Sequence, residues 1–405
     1  MSAKSIQGGT ITTPRGFLAG ATYAGIKSAG ADSLDLGILS SEVPCVAAGV
    51  FTTNRIKAAP VILCQRHLKD DRAQAIVVNS GCANACTGEQ GLADAEEIAA
   101  ITARKLGLPP QEVLVASTGM IGTALPMGLV RNAIEKITPS REGGHGLARA
   151  ITTTDTFPKE TAVQVVLGQG KSEIAIGGIA KGAGMIHPDL ATLLCFLTTD
   201  AAVEPDFLRK ALRKAADVSF SMITIDGDTS PNDSVIILAN GLSGSEMIES
   251  NKPGSEEFEK ALEAVCLSLA KLIAGDGEGA TRLIEVNVEG ALTVTDARMG
   301  ARAIAGSSLV KSAVHGSDPN WGRIIAALGR SGVEMTESKT DLYLDNLCLM
   351  KGGCPQSFDR AQARAILNGA EVPVRICLNI GDAAATAWGC DLSQEYVTIN
   401  SEYTT

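Results

Sequence analysis

Aromatic residues are scarce: Phe, Trp and Tyr together make up 3% of the 405 residues. Because 45% of the chain is still hydrophobic, its core must be built from aliphatic and small side chains. No apolar run reaches the length of a membrane span, which argues against a membrane protein. The stretch Met1-Ser2-Ala3-Lys4-Ser5-Ile6-Gln7-Gly8-Gly9 has no apolar h-region, so no signal peptide is expected and a cytoplasmic location is. Cysteine occurs ten times but never as CxxC, and the close pair Cys82 and Cys86 has no histidine at ligand spacing. The thiols therefore read as reduced, with no metal site expected. Basic residues are scattered and outnumbered, 35 against 45 acidic, for a net charge of −10. That balance excludes a nucleic-acid stripe and a polybasic membrane patch.

What is abundant is glycine, with 43 residues, implying many tight turns. Short apolar runs alternate with longer amphipathic ones. Ala75–Val78, Val113–Ala116, Leu283–Val288 and Val372–Leu378 read as strands. So does Thr192–Leu197, while Ala162–Leu167 and Ser172–Ile176 suggest a hairpin. Leu92–Leu106, Asp206–Val218 and Glu256–Ala274 carry apolar residues at helical spacing. The pattern predicts a mixed α/β protein with helices layered on sheets. A long turn-rich stretch, Ile179–Leu190, lies near the middle of the chain.

That stretch leads into Pro188-Asp189-Leu190-Ala191-Thr192-Leu193-Leu194-Cys195-Phe196. Taken alone, a β-branched Thr opening a strand after a loop is common. A Thr hydroxyl is a weak nucleophile that needs an adjacent base, and one solution is the free α-amine of a chain-initial Thr. An internal Thr gains that amine only if its hydroxyl attacks the preceding carbonyl and the resulting ester hydrolyses. A small residue before it and a glycine-shaped turn suit this chemistry, and Ala191, Gly182 and Gly184 are present.

The run Lys181-Gly182-Ala183-Gly184-Met185-Ile186-His187-Pro188-Asp189-Leu190-Ala191-Thr192 resembles the marker of the ornithine acetyltransferase (glutamate N-acetyltransferase) family of arginine biosynthesis. Further matches follow in order: Asn79–Gly88, Ser117–Gly122, Thr154-Asp155-Thr156, Asp226–Ser230, Gly275–Thr281, His315–Arg323 and Tyr396–Thr405. Leu190, Ser221 and Pro231 depart from the commoner residues. The resemblance spans essentially the whole chain.

It implies a layered α/β/β/α sandwich of the self-processing, N-terminal-nucleophile-like type. Cleavage between Ala191 and Thr192 would give fragments 1–191 and 192–405 that stay associated, two of each forming a heterotetramer. Thr192 would be the nucleophile, with Thr118 and Gly119 as the oxyanion hole. Thr154, Lys181, Thr192, Glu278, Asn400 and Thr405 would bind small amino-acid substrates. The implied reaction moves acetyl from N2-acetylornithine to glutamate, with no cofactor; whether acetyl-CoA is also a donor is left open. His187 and His315 are read as structural.

Three rival readings compete with this one. Gly275-Asp276-Gly277-Glu278-Gly279 follows a helix where a dinucleotide fingerprint needs a strand. Asp226, Asp228 and Asn232 alternate as in a calcium loop, but Pro231 and Ile237 stand where Gly and Glu are wanted. The third is an amide hydrolase or aminopeptidase of similar self-processing fold, in which water outcompetes the amine acceptor.

Overall fold

A computed structural model describes residues 3–27, 33–168, 172–187 and 193–402. Ala191, Thr192 and Thr405 lie outside the described residues. The strands of the N-terminal half are β1 (Lys4–Ser5), β2 (Phe17–Thr22), β3 (Leu36–Phe51), β4 (Arg72–Cys82), β5 (Val113–Met120), β6 (Lys159–Leu167) and β7 (Ser172–Lys181). The remainder are β8 (Leu194–Thr199), β9 (Ile223–Thr224), β10 (Ser234–Ala239), β11 (Leu283–Ala291), β12 (Asp341–Leu344), β13 (Leu347–Lys351), β14 (Cys354–Pro355), β15 (Glu371–Cys377) and β16 (Ala383–Cys390). The helices used below are α1 (Ala59–His67), α2 (Gly88–Leu106), α3 (Met127–Lys136), α4 (Gly144–Ala150), α5 (Pro205–Val218), α6 (Ser255–Gly275) and α7 (Val294–Ala305).

One sheet runs β1-β6-β7-β8-β10-β3-β4-β5, with β2 also on β3. Its pivot is β3, which pairs with β4 from Leu36 to Ser40 and again at Cys45 and Val46, and with β10 from Val46 to Phe51. The β3–β4 register is irregular between Ser40 and Cys45. Such a break bends a strand, and here it turns the sheet back on itself. Leu39, Ile76, Val78, Leu114 and Ala116 of one limb share a buried cluster with Ile179, Leu194, Phe196, Ile236 and Leu238 of the other.

The outer faces are covered by helices. Ile98 and Ala99 of α2 and Val130 and Ile134 of α3 pack on Ala75, Val77, Val113 and Val115. On the other side, Phe207 and Leu208 of α5 and Leu262, Val265 and Leu269 of α6 pack against Val163, Ile176 and Leu197. Each such Leu or Phe, fully buried, stabilises the fold by roughly 1.5–3 kcal/mol. The result is the expected α/β/β/α sandwich of stacked sheets. A second, seven-stranded sheet, β14-β13-β12-β15-β11-β16-β9, joins the α6 side of the core.

Several boundaries differ from the sequence reading for physical reasons. The strands read as Ala75–Val78 and Val113–Ala116 run further, through Asn79-Ser80-Gly81 and Ser117-Thr118-Gly119, because these residues continue the parallel β4–β5 pairing. The hairpin strand β7 runs on to Lys181, because every residue from Ile176 to Lys181 finds a partner on β8. Ser255 is the first helical residue of α6, and Gly254 occupies the cap position.

The β7–β8 junction matters for the proposed fragments. Lys181 pairs with Leu194, and Ile176 with Thr199, in an antiparallel ladder that joins the residues before position 191 to those after it.

Candidate functional site

Lys181 ends β7 with its amine almost wholly buried. Its Nζ donates to Thr153 Oγ1 at 2.7 Å and lies 3.8 Å from Asp155 Oδ2. Asp155 Oδ1 in turn accepts from Lys159 Nζ at 2.6 Å and from the Gly182 N–H at 2.7 Å. Lys159 Nζ also reaches Asp276 Oδ2 at 2.5 Å, so two amines and two carboxylates share one buried network. Burial by itself pushes the Asp155 carboxyl up, but Lys181 and Lys159 outweigh it and hold the group down at about 2. Burial pushes the Lys181 amine down, with Asp155 opposing.

Beyond Lys181 the chain makes the glycine-rich turn. Asp226 braces it from one side, accepting from the Met185 N–H at 2.5 Å and the Ile186 N–H at 2.8 Å. Glu278 braces it from the other: its N–H donates to the Ala183 carbonyl at 2.8 Å. A Cβ on Gly184 would fall 2.5 Å from Glu278 Oε2, so only glycine lets the carboxylate lie there. Asn400 Nδ2 donates to the same Oε2 at 2.7 Å, which docks the C-terminal helix Gln394–Glu402 on the site. Glu278 also acts electrostatically on Lys181.

The oxyanion candidates sit at the end of β5. Gly119 has φ 129°, a conformation open to glycine, and a Cβ there would meet the Gly81 carbonyl carbon at 2.3 Å. Thr118 is buried beside it, opposite Ser80 and Cys82 of β4. Gly81 also packs against the backbone of Ile26 and Lys27. Burial lowers the Lys27 amine to about 8, with Asp35 and Asp155 opposing and Lys181 adding to the fall. Four successive N–H groups, from Ala24 to Lys27, donate to the Asp35 carboxylate and fix this segment.

The structure therefore brings Lys181, Glu278 and Asn400 together around the turn, although nearly 220 residues separate the first from the last. Thr154 is half-buried between Thr153 and Asp155, whose side chains make the network. Sequence reasoning picked Thr154 from Thr154-Asp155-Thr156 and gave no role to Asp155 or Lys159; a buried charge network leaves no spacing pattern that could reveal it. Lys27 was missed as well. His187 Nδ1 lies 3.3 Å from Thr224 Oγ1, and His315 Nδ1 lies 2.7 Å from the buried Asp391. Asp391 also accepts from Thr281 and Arg282, so His315 joins a structural brace around that carboxylate. Among the described residues, no group of His, Cys, Asp and Glu could hold a metal ion, and no helix is long and apolar enough to cross a membrane.

Fold and site together define a stacked-sheet α/β protein whose charged centre lies where strands β7 and β8 of one sheet meet. The chain belongs to the ArgJ family, whose profile matches residues 18–405. It is 53% identical over 397 residues to the arginine biosynthesis bifunctional protein ArgJ of Dehalococcoides mccartyi, covering 98% of each chain. It is 46% identical to the protein of the same name from Bacillus anthracis, covering 100% of this chain and 99% of that one. Among solved structures, that of the Bacillus halodurans ArgJ protein is similar at a TM-score of 0.50 and 43% identity, covering 51% of this chain and 97% of that one.

Proposed function

We propose that this protein is an arginine-biosynthesis acetyltransferase that cuts its own backbone between Ala191 and Thr192 and then uses Thr192 as its nucleophile. In the first stage the Thr192 hydroxyl attacks the Ala191 carbonyl carbon and the peptide shifts to an ester. Water hydrolyses that ester, leaving a carboxylate on Ala191 and a free α-amine on Thr192. That amine then accepts the hydroxyl proton when Thr192 attacks the acetyl carbonyl of N2-acetylornithine. Ornithine departs with the proton, acetyl-Thr192 remains, and the amine of glutamate takes the acetyl group to give N-acetylglutamate.

The negative charge that develops on the carbonyl oxygen needs donors aimed at it. The Thr118 hydroxyl and Gly119 N–H serve there. Lys181 and Lys27 supply positive charge for substrate carboxylates, while Glu278 and Asn400 meet the amine end. The observation that carries this reading is the convergence of Lys181, Glu278 and Asn400 on the turn that leads directly to residue 192. The half-length of the matched Bacillus halodurans chain also supports it, since a fragment ending or beginning near residue 192 has that length.

The two fragments, 1–191 and 192–405, associate through β7 and β8 and assemble as two copies of each. Relatives are named bifunctional, and acetyl-CoA is the second donor to test here. Intact mass of the purified protein, with transfer and hydrolysis of N2-acetylornithine assayed side by side, tests the proposal. Two fragments and transfer to glutamate are expected. A single chain at full turnover, or hydrolysis that outruns transfer, overturns it.

A further inference from the structure

Two adjacent residues absent from the roles above grip both sides of the proposed centre. Asn232 is buried, and its Nδ2 donates to the Ala83 carbonyl at 2.6 Å and to the Ser117 carbonyl at 2.8 Å. Ser117 is the residue before Thr118-Gly119. Asp233 is also buried, and its Oδ1 accepts from the Leu193 N–H at 3.1 Å. Leu193 is the residue after Thr192, and its carbonyl accepts from the Ser234 N–H at 3.0 Å. The dipeptide is itself anchored: the Thr52 N–H donates to the Asp233 carbonyl at 3.0 Å, and the Asn232 N–H to Ser230 Oγ at 3.1 Å.

We infer that Asn232 and Asp233 form a clamp that sets the register between the oxyanion strand β5 and the strand that follows the cleavage point, so that they are positioning residues for self-cleavage and transfer. The inference rests on the proposed function. In a fragmented chain its geometry has a further consequence: Asn232 and Asp233 belong to the second fragment, while Ala83 and Ser117 belong to the first. The clamp thus ties the oxyanion donors of one polypeptide to the nucleophile of the other.

Asp233 Oδ2 is buried without a hydrogen-bond partner among the described residues. An ionised carboxylate in that position would be costly, and burial holds the group well above the usual carboxylate range, with the Leu193 N–H, Lys181 and the Thr52 and Ser230 side chains opposing. An Asn at position 233 keeps an oxygen that can accept from the Leu193 N–H, whereas the methyl group of Ala does not.

The experiment compares Asn232→Ala, Asn232→Asp, Asp233→Ala and Asp233→Asn with the parent protein. It reads the rate of fragment formation, kcat and KM for N2-acetylornithine, and circular dichroism as a check on folding. Loss of register by about 1 Å can cost on the order of 10²-fold in rate. The expected result is a fall of that order in cleavage rate and kcat for Asn232→Ala, Asn232→Asp and Asp233→Ala, with KM little changed and Asp233→Asn recovering most of the loss. Asn232→Asp keeps the side-chain shape while removing both donors, so it tests the clamp even if the alanine variants fail to fold. Parent-like cleavage and kcat in the folded variants would overturn the clamp, as would an Asp233→Asn enzyme no better than Asp233→Ala. A parent that neither cleaves nor transfers overturns the proposed function instead.

Discussion

Gly184 lies directly beneath the Glu278 carboxylate, close enough that a Cβ on Gly184 would stand 2.5–2.6 Å from all three carboxylate atoms. The turn and the acid are thus fitted to one another: the turn can carry no side chain at that point, and Glu278 cannot approach unless it is bare. Gly184→Ala is expected to displace Glu278 and break its bond to Asn400, cutting transfer by about tenfold for a loss of about 1.4 kcal/mol in transition-state binding. Steady-state kinetics beside those of Glu278→Gln check this; parent-like kinetics in the alanine variant would show that Glu278 is not needed there.

Thr192→Ala should leave one full-length band on a denaturing gel and no acetyl transfer. Thr118→Ala should leave the chain competent to fold and slow transfer by about 10²–10³, the usual effect of removing one oxyanion donor. Normal transfer by either variant would reassign the role of the altered residue.

Asp155 stands between two buried amines. Asp155→Asn strips both Lys159 and Lys181 of their shared anion and should cost about 3–5 kcal/mol of stability, as breaking buried ion pairs does. Urea unfolding measures it. The pH dependence follows from the same group. Its folded-state value, about 2, lies below the ordinary 3.8, so its contribution is fully present above about pH 4 and is lost as pH falls through about 2. Acid unfolding that sets in at higher pH in the parent than in Asp155→Asn would contradict this order.

Lys27 loses its proton near pH 8. If its charge draws a substrate carboxylate, KM for glutamate should rise as pH climbs from 7 through about 9, and the rise should be absent in Lys27→Met. Titration of KM against pH in both proteins decides it. An identical profile in the two removes Lys27 from binding.

Residues before and after the proposed cleavage point share an antiparallel β7–β8 ladder and two buried clusters. Cleaved protein should therefore elute as one species on size-exclusion chromatography and separate only in denaturant. Free exchange of fragments between differently labelled samples under native conditions would count against a common core.

Much of the local structure was readable because it depends on local patterns. The apolar spacing of Glu256–Ala274 marks the buried face of α6, and the run Ala75–Val78 marks a strand buried on both sides. The chemical candidates Lys181, Glu278 and Thr118 were legible through resemblance, not through spacing. The sequence by itself determined segments with a clear local pattern, such as the strand at Ala75–Val78 and the helix at Glu256–Ala274, and placed a Thr behind a glycine-rich turn, since backbone freedom and side-chain periodicity act over a few residues. Only the tertiary structure decided that β3 bends between Ser40 and Cys45 and stacks the two limbs, that Asp155 sits between Lys159 and Lys181, and that Asn232 and Asp233 reach opposite strands. Those relationships join residues from four to more than a hundred positions apart, and they arise because burial forces each polar group to find a partner wherever the packed chain provides one.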